Sequence, residues 1–94
     1  MWENELTEMR QVLSDNIKSL RKQRKLAQER LALEAGVDRT LVSKIERKVS
    51  NPSLEILVKL ALTLQVPVWR LLTSAEKQTT LIARRGGAPS KPLI

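Results

Sequence analysis

The chain has 94 residues, a formal charge of +7 at pH 7, two tryptophans as its only aromatic residues, and neither cysteine nor histidine. That length supports a single domain with a core of modest size. The missing side chains exclude disulfides, thiolate chemistry, the commonest general base and the commonest transition-metal ligand, so neither metal nor cofactor is expected.

Helix-forming Leu, Ala, Glu, Lys, Arg and Gln dominate, which predicts an all-α protein. No apolar run is long enough to span a bilayer, and the start "MWENELTEMR" is acidic where a signal peptide would be basic. A cytoplasmic protein with no membrane partner is the expectation.

Trp2, Leu6, Met9, Leu13, Ile17 and Leu20 recur at spacings of three and four, so helical character begins before Ser14 or at it. Ser14 and Asp15 are available as N-caps for a helix to about Lys25, which would leave residues 1–13 as an arm or helical extension. Between Ile17 and Ala35 there is neither glycine nor proline, and "SLRKQRKLAQERLALEA" reads as one long helix on propensity alone. Leu26 and Leu33 fall off the main apolar stripe, which favours two helices, the second from Gln28 to Ala35.

Gly36 follows, and Asp38 is placed to cap a helix through "RTLVSKIE". In that helix Val42 and Ile45 share one face, while Arg39, Thr40, Ser43 and Lys44 fall on or near the other. An ordinary amphipathic surface helix would look the same. "SNPS" signals a loop, and Ser53 caps a helix from Leu54 to Leu64 whose buried stripe is Leu54, Leu57, Leu60, Ala61 and Leu64. Pro67 starts a short fifth helix through Leu72. After Thr73 the periodicity fails, and "RRGGAPSKPLI" reads as a disordered tail.

Positive charge gathers in two places. Residues 14–25 carry Lys18, Arg21, Lys22, Arg24 and Lys25 against Asp15, and the stretch after Thr73 carries Lys77, Arg84, Arg85 and Lys91 against Glu76. Residues 1–13 are acidic, with Glu3, Glu5 and Glu8 against Arg10. A polyanion is the natural partner of such a chain, although a basic balance also serves solubility alone.

The segment from Gln28 to Arg47 sharpens this reading. Two helices crossing steeply need a small residue at the contact, a glycine where the backbone turns and apolar residues on the facing sides, and Leu31, Ala32, Gly36, Val37, Val42 and Ile45 meet those demands. The stretch "QERLALEAGVDRTLVSKIER", followed by "NPSLEILVKLALTLQVPVWRLL", resembles the helix-turn-helix DNA-binding family of the Cro and lambda-type phage repressors. Asp38-Arg39-Thr40 with Val42-Ser43 looks most like the controller proteins of restriction-modification systems within it. The resemblance covers about residues 14–73. It implies a compact bundle of about five short helices, with residues 74–94 as a basic appendage.

The resemblance also implies roles. Arg39, Thr40, Ser43 and Lys44 match the outward positions of the recognition helix and are the expected contacts to base edges, Arg39 foremost because it donates bidentately to guanine. Leu41 either meets a thymine methyl or packs on a neighbouring helix; packing is favoured. Gln28 matches a glutamine that touches phosphate or supports a recognition side chain, and Arg47, Lys48 and Asn51 match the loop that touches phosphate. Arg21 and Glu46 match a structural salt bridge. Val66, Val68, Trp69, Leu71 and Leu72 are candidates for a dimer interface, although Leu71 and Leu72 would equally suit the core. The sequence departs from the family where glycine usually ends a helix, with Lys25, Lys48 and Gln65 there instead, and Ala27 replaces the usual cap of the second helix.

A dimeric, sequence-specific transcriptional regulator of double-stranded DNA, cytoplasmic and nucleoid-associated, is therefore the expected function. The alternative is an antitoxin or adaptor whose main role is to grip a protein partner through the arm or the tail. An enzyme is not expected, since the chain has no glycine-rich phosphate loop and no paired carboxylates suited to a pocket.

Overall fold

The computed structural model describes residues 1–75. The expected basic tail lies outside the described residues from 76 onward. The described residues form five helices and no strand: α1 (Trp2–Gln23), α2 (Gln28–Ala35), α3 (Arg39–Glu46), α4 (Leu54–Leu64) and α5 (Val68–Leu71).

The core is one cluster. Leu13, Ile17 and Leu20 of α1 meet Leu31 and Ala32 of α2, Val42 and Ile45 of α3, Leu57, Leu60, Ala61 and Leu64 of α4, and Leu71 of α5. In α1, α3 and α4 the core residues recur three or four apart, the spacing that puts side chains on one face, while α2 contributes the adjacent Leu31 and Ala32 and α5 contributes Leu71. Leu41 and Leu26 pack against this cluster as half-buried neighbours, whereas Leu33 stays exposed. Leu54, read as part of the buried stripe of α4, is also exposed.

One element boundary differs from the sequence reading. Helix α1 runs unbroken through Ser14, which is fully buried and donates its hydroxyl to the Glu46 carbonyl at 2.7 Å. Ser14 is therefore a tertiary tie between α1 and the end of α3, not an N-cap, and Asp15 is an exposed mid-helix residue. The division between α1 and α2 falls at residues 24–27, as the off-stripe leucines suggest.

The way these helices end explains how a glycine-poor chain turns so tightly. After α1, the left-handed residue is Lys25 (φ 57°), with Lys25 N–H to Lys22 O and Leu26 N–H to Arg21 O, both at 3.0 Å. After α2 it is Gly36 (φ 70°), with Gly36 N–H to Leu33 O at 3.3 Å and Val37 N–H to Ala32 O at 3.0 Å. The same pair of bonds recurs at Lys48 (φ 67°) with Val49, and at Gln65 (φ 59°) with Val66. All four ends are Schellman motifs, which satisfy the last carbonyls and place an apolar residue just past the turn. Only Gly36 has the residue the geometry prefers; the other three sites carry a left-handed cost of roughly 1–2 kcal/mol each. Lys25 and Lys48 recover part of it by setting a positive charge at the negative end of a helix dipole.

At their starts, α3 and α4 are capped as the sequence indicates. Asp38 accepts from Thr40 N–H at 2.8 Å and Ser53 accepts from Ile56 N–H at 3.2 Å. Ala27 precedes α2 with no side-chain cap. Asn16 of α1 closes the other end of the bundle: its Nδ2 donates to the carbonyls of Arg70, Leu71 and Thr73 at 2.9–3.0 Å, satisfying the end of α5.

Candidate nucleic-acid interface

Helix α3 has two faces of opposite character. Val42 and Ile45 are buried in the core, while Arg39, Thr40 and Lys44 are exposed and Ser43 is half-buried. Gln28, at the first turn of α2, lines one cleft with Arg39, Thr40 and Ser43. The four residues expected to read bases thus sit on the outward side of α3, three of them in this cleft and Lys44 one turn along from Thr40.

Glu46 holds the end of α3 in place. Its carboxylate is almost fully buried and accepts from Arg21 Nε at 2.7 Å, Arg21 Nη2 at 3.0 Å and Gln28 Nε2 at 3.0 Å. Arg21 also donates Nη1 to the Leu26 carbonyl at 2.8 Å, tying the turn between α1 and α2 to the same cluster. Burial alone would raise the Glu46 pKa, but hydrogen bonds from Arg21 and Gln28 and the charges of Arg21 and Lys18 outweigh it and hold the carboxyl below its ordinary value. The structural pairing of Arg21 with Glu46 that the resemblance implies is present. Gln28 spends its amide on that pair, so within the described contacts it supports the end of α3.

Among the remaining cations, Arg47 and Lys48 are exposed just past the C-terminus of α3. Asn51 is exposed in the following loop, but its Oδ1 accepts from Arg10 Nε at 3.0 Å and also from Nη2. Arg10, on the N-terminal half of α1, thereby brings a guanidinium beside that loop. The sequence gives no local sign of it, because the two residues are separated by 41 positions. Arg39 has a loose ion pair, Nη1 to Glu29 Oε2 at 3.8 Å, with both side chains well exposed. A pair of that kind is worth little and leaves the guanidinium available.

The residues considered for a dimer interface divide. Leu71 is fully buried in the monomer and belongs to the core, which corrects its place among them. It lies inward because α5 is a single turn, tied down through Asn16 on both sides of this position. Trp69 is half exposed, and Val66, Val68 and Leu72 are half-buried against the core. On α4, Leu54, Val58 and Leu62 follow at intervals of four as a row of exposed apolar side chains. Among the described residues there is no group of acidic side chains able to hold a metal ion, and no helix long and apolar enough to cross a membrane.

Comparison with known proteins agrees with this geometry. A family profile described as Helix-turn-helix matches residues 17–68, from the middle of α1 to the start of α5. The control protein C.SmaI of Serratia marcescens is 38% identical over 66 residues, covering 70% of this chain and 79% of its own. A hypothetical transcription factor of Neisseria meningitidis serogroup B is 33% identical over 85 residues, covering 90% of this chain and 80% of its own. The crystal structure of the Neisseria factor superposes with a TM-score of 0.74 at 37% identity, over 78% of this chain and 84% of that one. That of the restriction-modification controller protein C.AhdI of Aeromonas hydrophila superposes with a TM-score of 0.62 at 35% identity, over 64% of this chain and 91% of that one. With the profile spanning more than half the chain and relatives matched over most of their length, the chain belongs to the helix-turn-helix family of DNA-binding transcription regulators, with restriction-modification controllers among its homologues.

Proposed function

We propose that the protein is a sequence-specific transcriptional regulator that binds a near-palindromic operator as a homodimer and acts by blocking or recruiting polymerase. The observation that carries this reading is the outward face of α3, where Arg39, Thr40 and Ser43 line one cleft with Gln28 while Val42, Ile45 and Glu46 lock the opposite side of the helix. A recognition helix needs that combination: rigid docking on one side and unspent donors on the other. In this reading Arg39, Thr40, Ser43 and Lys44 meet base edges. Arg47, Lys48, Asn51 and the N-terminal turn of α2 at Gln28 meet phosphates, with Arg10 assisting beside Asn51.

Two-fold pairing would repeat this face about one helical turn of DNA, roughly 34 Å, away. The exposed apolar row of α4, with Trp69, Val66, Val68 and Leu72 of the α5 region, is the surface proposed to bury itself against a second copy. Regulation of a restriction-modification system is the setting that the controller relatives suggest, and the reading places the protein in the cytoplasm on the nucleoid.

The test is a gel shift on the DNA upstream of its own gene, run beside a scrambled duplex and at several salt concentrations. A discrete complex is expected whose affinity falls steeply with salt, with Arg39→Ala losing about 1–3 kcal/mol of preference for the specific site. Equal affinity for both duplexes, unchanged in the variant, would rule out readout by α3.

A further inference from the structure

The surface cations of the described residues fall into two groups. Arg30 is paired with Glu34 at 2.7 Å, Lys59 with Glu55 at 3.0 Å and Arg39 loosely with Glu29, while Arg10 and Arg24 donate to the side-chain oxygens of Asn51 and Gln65. Lys18, Lys22, Lys25, Lys44, Arg47 and Lys48 have neither an ion pair nor a side-chain hydrogen bond within the described residues. All six lie on the second half of α1 and the turn after it, or on α3 and the turn after it.

These two stretches border one another. Ser14 donates to the Glu46 carbonyl and Arg21 to its carboxylate, so one row of α1 lies against the end of α3. Lys18 follows Ser14 by four positions and precedes Arg21 by three, which sets it in that row, and it stands within electrostatic reach of Glu46. Lys25 lies in the turn that Arg21 ties down through the Leu26 carbonyl, three positions before Gln28. Unpaired positive charge therefore runs from the end of α3 into the turn before α2, beside the cleft of Gln28, Arg39, Thr40 and Ser43. Backbone conformation marks the same edge. Lys25 and Lys48 both hold left-handed conformations that glycine would adopt at less cost, and strain of this kind collects at functional sites.

We propose, resting on α3 as the DNA-reading helix, that Lys18 and Lys25 form a second backbone contact on the same duplex, meeting phosphates on the Gln28 side and outside the groove that α3 enters. Lysine suits this role. Its ammonium is a compact charge on a flexible stem, which neutralises a phosphate and releases a counterion without demanding a fixed geometry. Because neither side chain is engaged in the free protein, no ion pair has to break when DNA arrives. The contact adds affinity for every sequence and discrimination for none.

The test uses Lys18→Gln and Lys25→Gln in the full chain. Both should fold, since glutamine already holds a left-handed site at residue 65. In gel shifts on the operator and on a scrambled duplex over a salt series, each variant is expected to weaken binding to both duplexes by the same factor. Each should also lower the slope of log affinity against log salt by about 1, and the double variant by about 2. Arg30→Gln removes the same charge from a paired site and should leave the slope unchanged. An unaltered slope in the double variant, or an equal fall in Arg30→Gln, would overturn the contact; with Arg39→Ala still losing site preference, the failure would be confined to α1. A parent protein with no preference for the operator would instead sink the α3 reading, and this contact with it.

A second readout locates the phosphates. Neutral methylphosphonate linkages are placed singly along the operator, and at those beside Lys18 and Lys25 the parent is expected to lose affinity while the double variant loses nothing further. Equal losses in parent and double variant at every linkage would also refute the contact.

Discussion

Glu46 is bound by groups from two other helices through its carboxylate and through its backbone carbonyl at once. Arg21, Gln28 and Ser14 all donate to it, and the Arg21 side chain is itself only 13% exposed. Removing one partner of such a pair strands the other in the interior, so Glu46→Ala is expected to destabilise the fold by about 3 kcal/mol in urea or thermal unfolding. The pH dependence has a definite sign. The folded-state pKa of Glu46 lies below the ordinary glutamate value, so the ionised form contributes stability above that ordinary value. The contribution is lost as pH falls through the depressed one. The stability gap between the protein and Glu46→Gln should therefore be widest near neutrality and narrow as pH falls below the ordinary glutamate value. A gap unchanged between pH 7 and pH 3 would show that the ionised form of Glu46 is not what stabilises it.

Helix ends are where this chain departs furthest from an easy fold. Gln65 occupies a left-handed site with no charge of its own to set against the dipole of α4, and its side-chain partner, Arg24 Nη1 donating at 3.1 Å, is exposed and screened by solvent. Gln65→Gly should raise stability by about 1 kcal/mol, more than Lys25→Gly or Lys48→Gly, where the lost lysine charge offsets part of the gain. Gly36→Ala should lose about 1 kcal/mol by thermal melting; a Cβ at this site meets nothing within 4 Å, so the penalty is one of backbone conformation alone.

These same ends explain what could be read in advance. Asp38, Gly36 and Ser53 are residues of the expected type at their boundaries, and α2 ends and α3 and α4 begin where those residues indicate. The break after α1 carries no such sign, because a lysine does the work of the glycine. Ser14 misleads for a related reason: its hydroxyl looks like a local cap, but its partner is the carbonyl of Glu46, 32 positions away. The anchored side of the interface was legible through Val42, Ile45 and the Arg21–Glu46 pair. Arg10 beside Asn51, and Asn16 under α5, were not, since both depend on tertiary distance that no local pattern encodes.

At the scale of the whole molecule, charge and exposed apolar surface set the expected behaviour. A net charge of +7 without histidine changes little between pH 6 and 8, so binding to DNA should depend strongly on salt and weakly on pH in that range. Lys48→Ala should weaken binding to every duplex alike and reduce the slope of log affinity against log salt by about 1, whereas Arg39→Ala should relax discrimination between sequences. The apolar row on α4, with Trp69, predicts association: Trp69→Ala/Leu62→Ser should shift sedimentation toward the monomer and weaken operator binding at low protein concentration. A variant that sediments like the parent would remove this surface from the dimer.

The arrangement of α3 has one further consequence. The side chains that fasten it, Val42, Ile45 and Glu46, share no position with those turned toward the cleft and beyond, Arg39, Thr40, Ser43 and Lys44. Those four positions therefore form an exchangeable cassette. Lineages descended from this scaffold are free to drift to new operators by rewriting the cassette while folding stability stays nearly constant, and the same separation lets an engineer transplant another regulator's reading residues without rebuilding the domain.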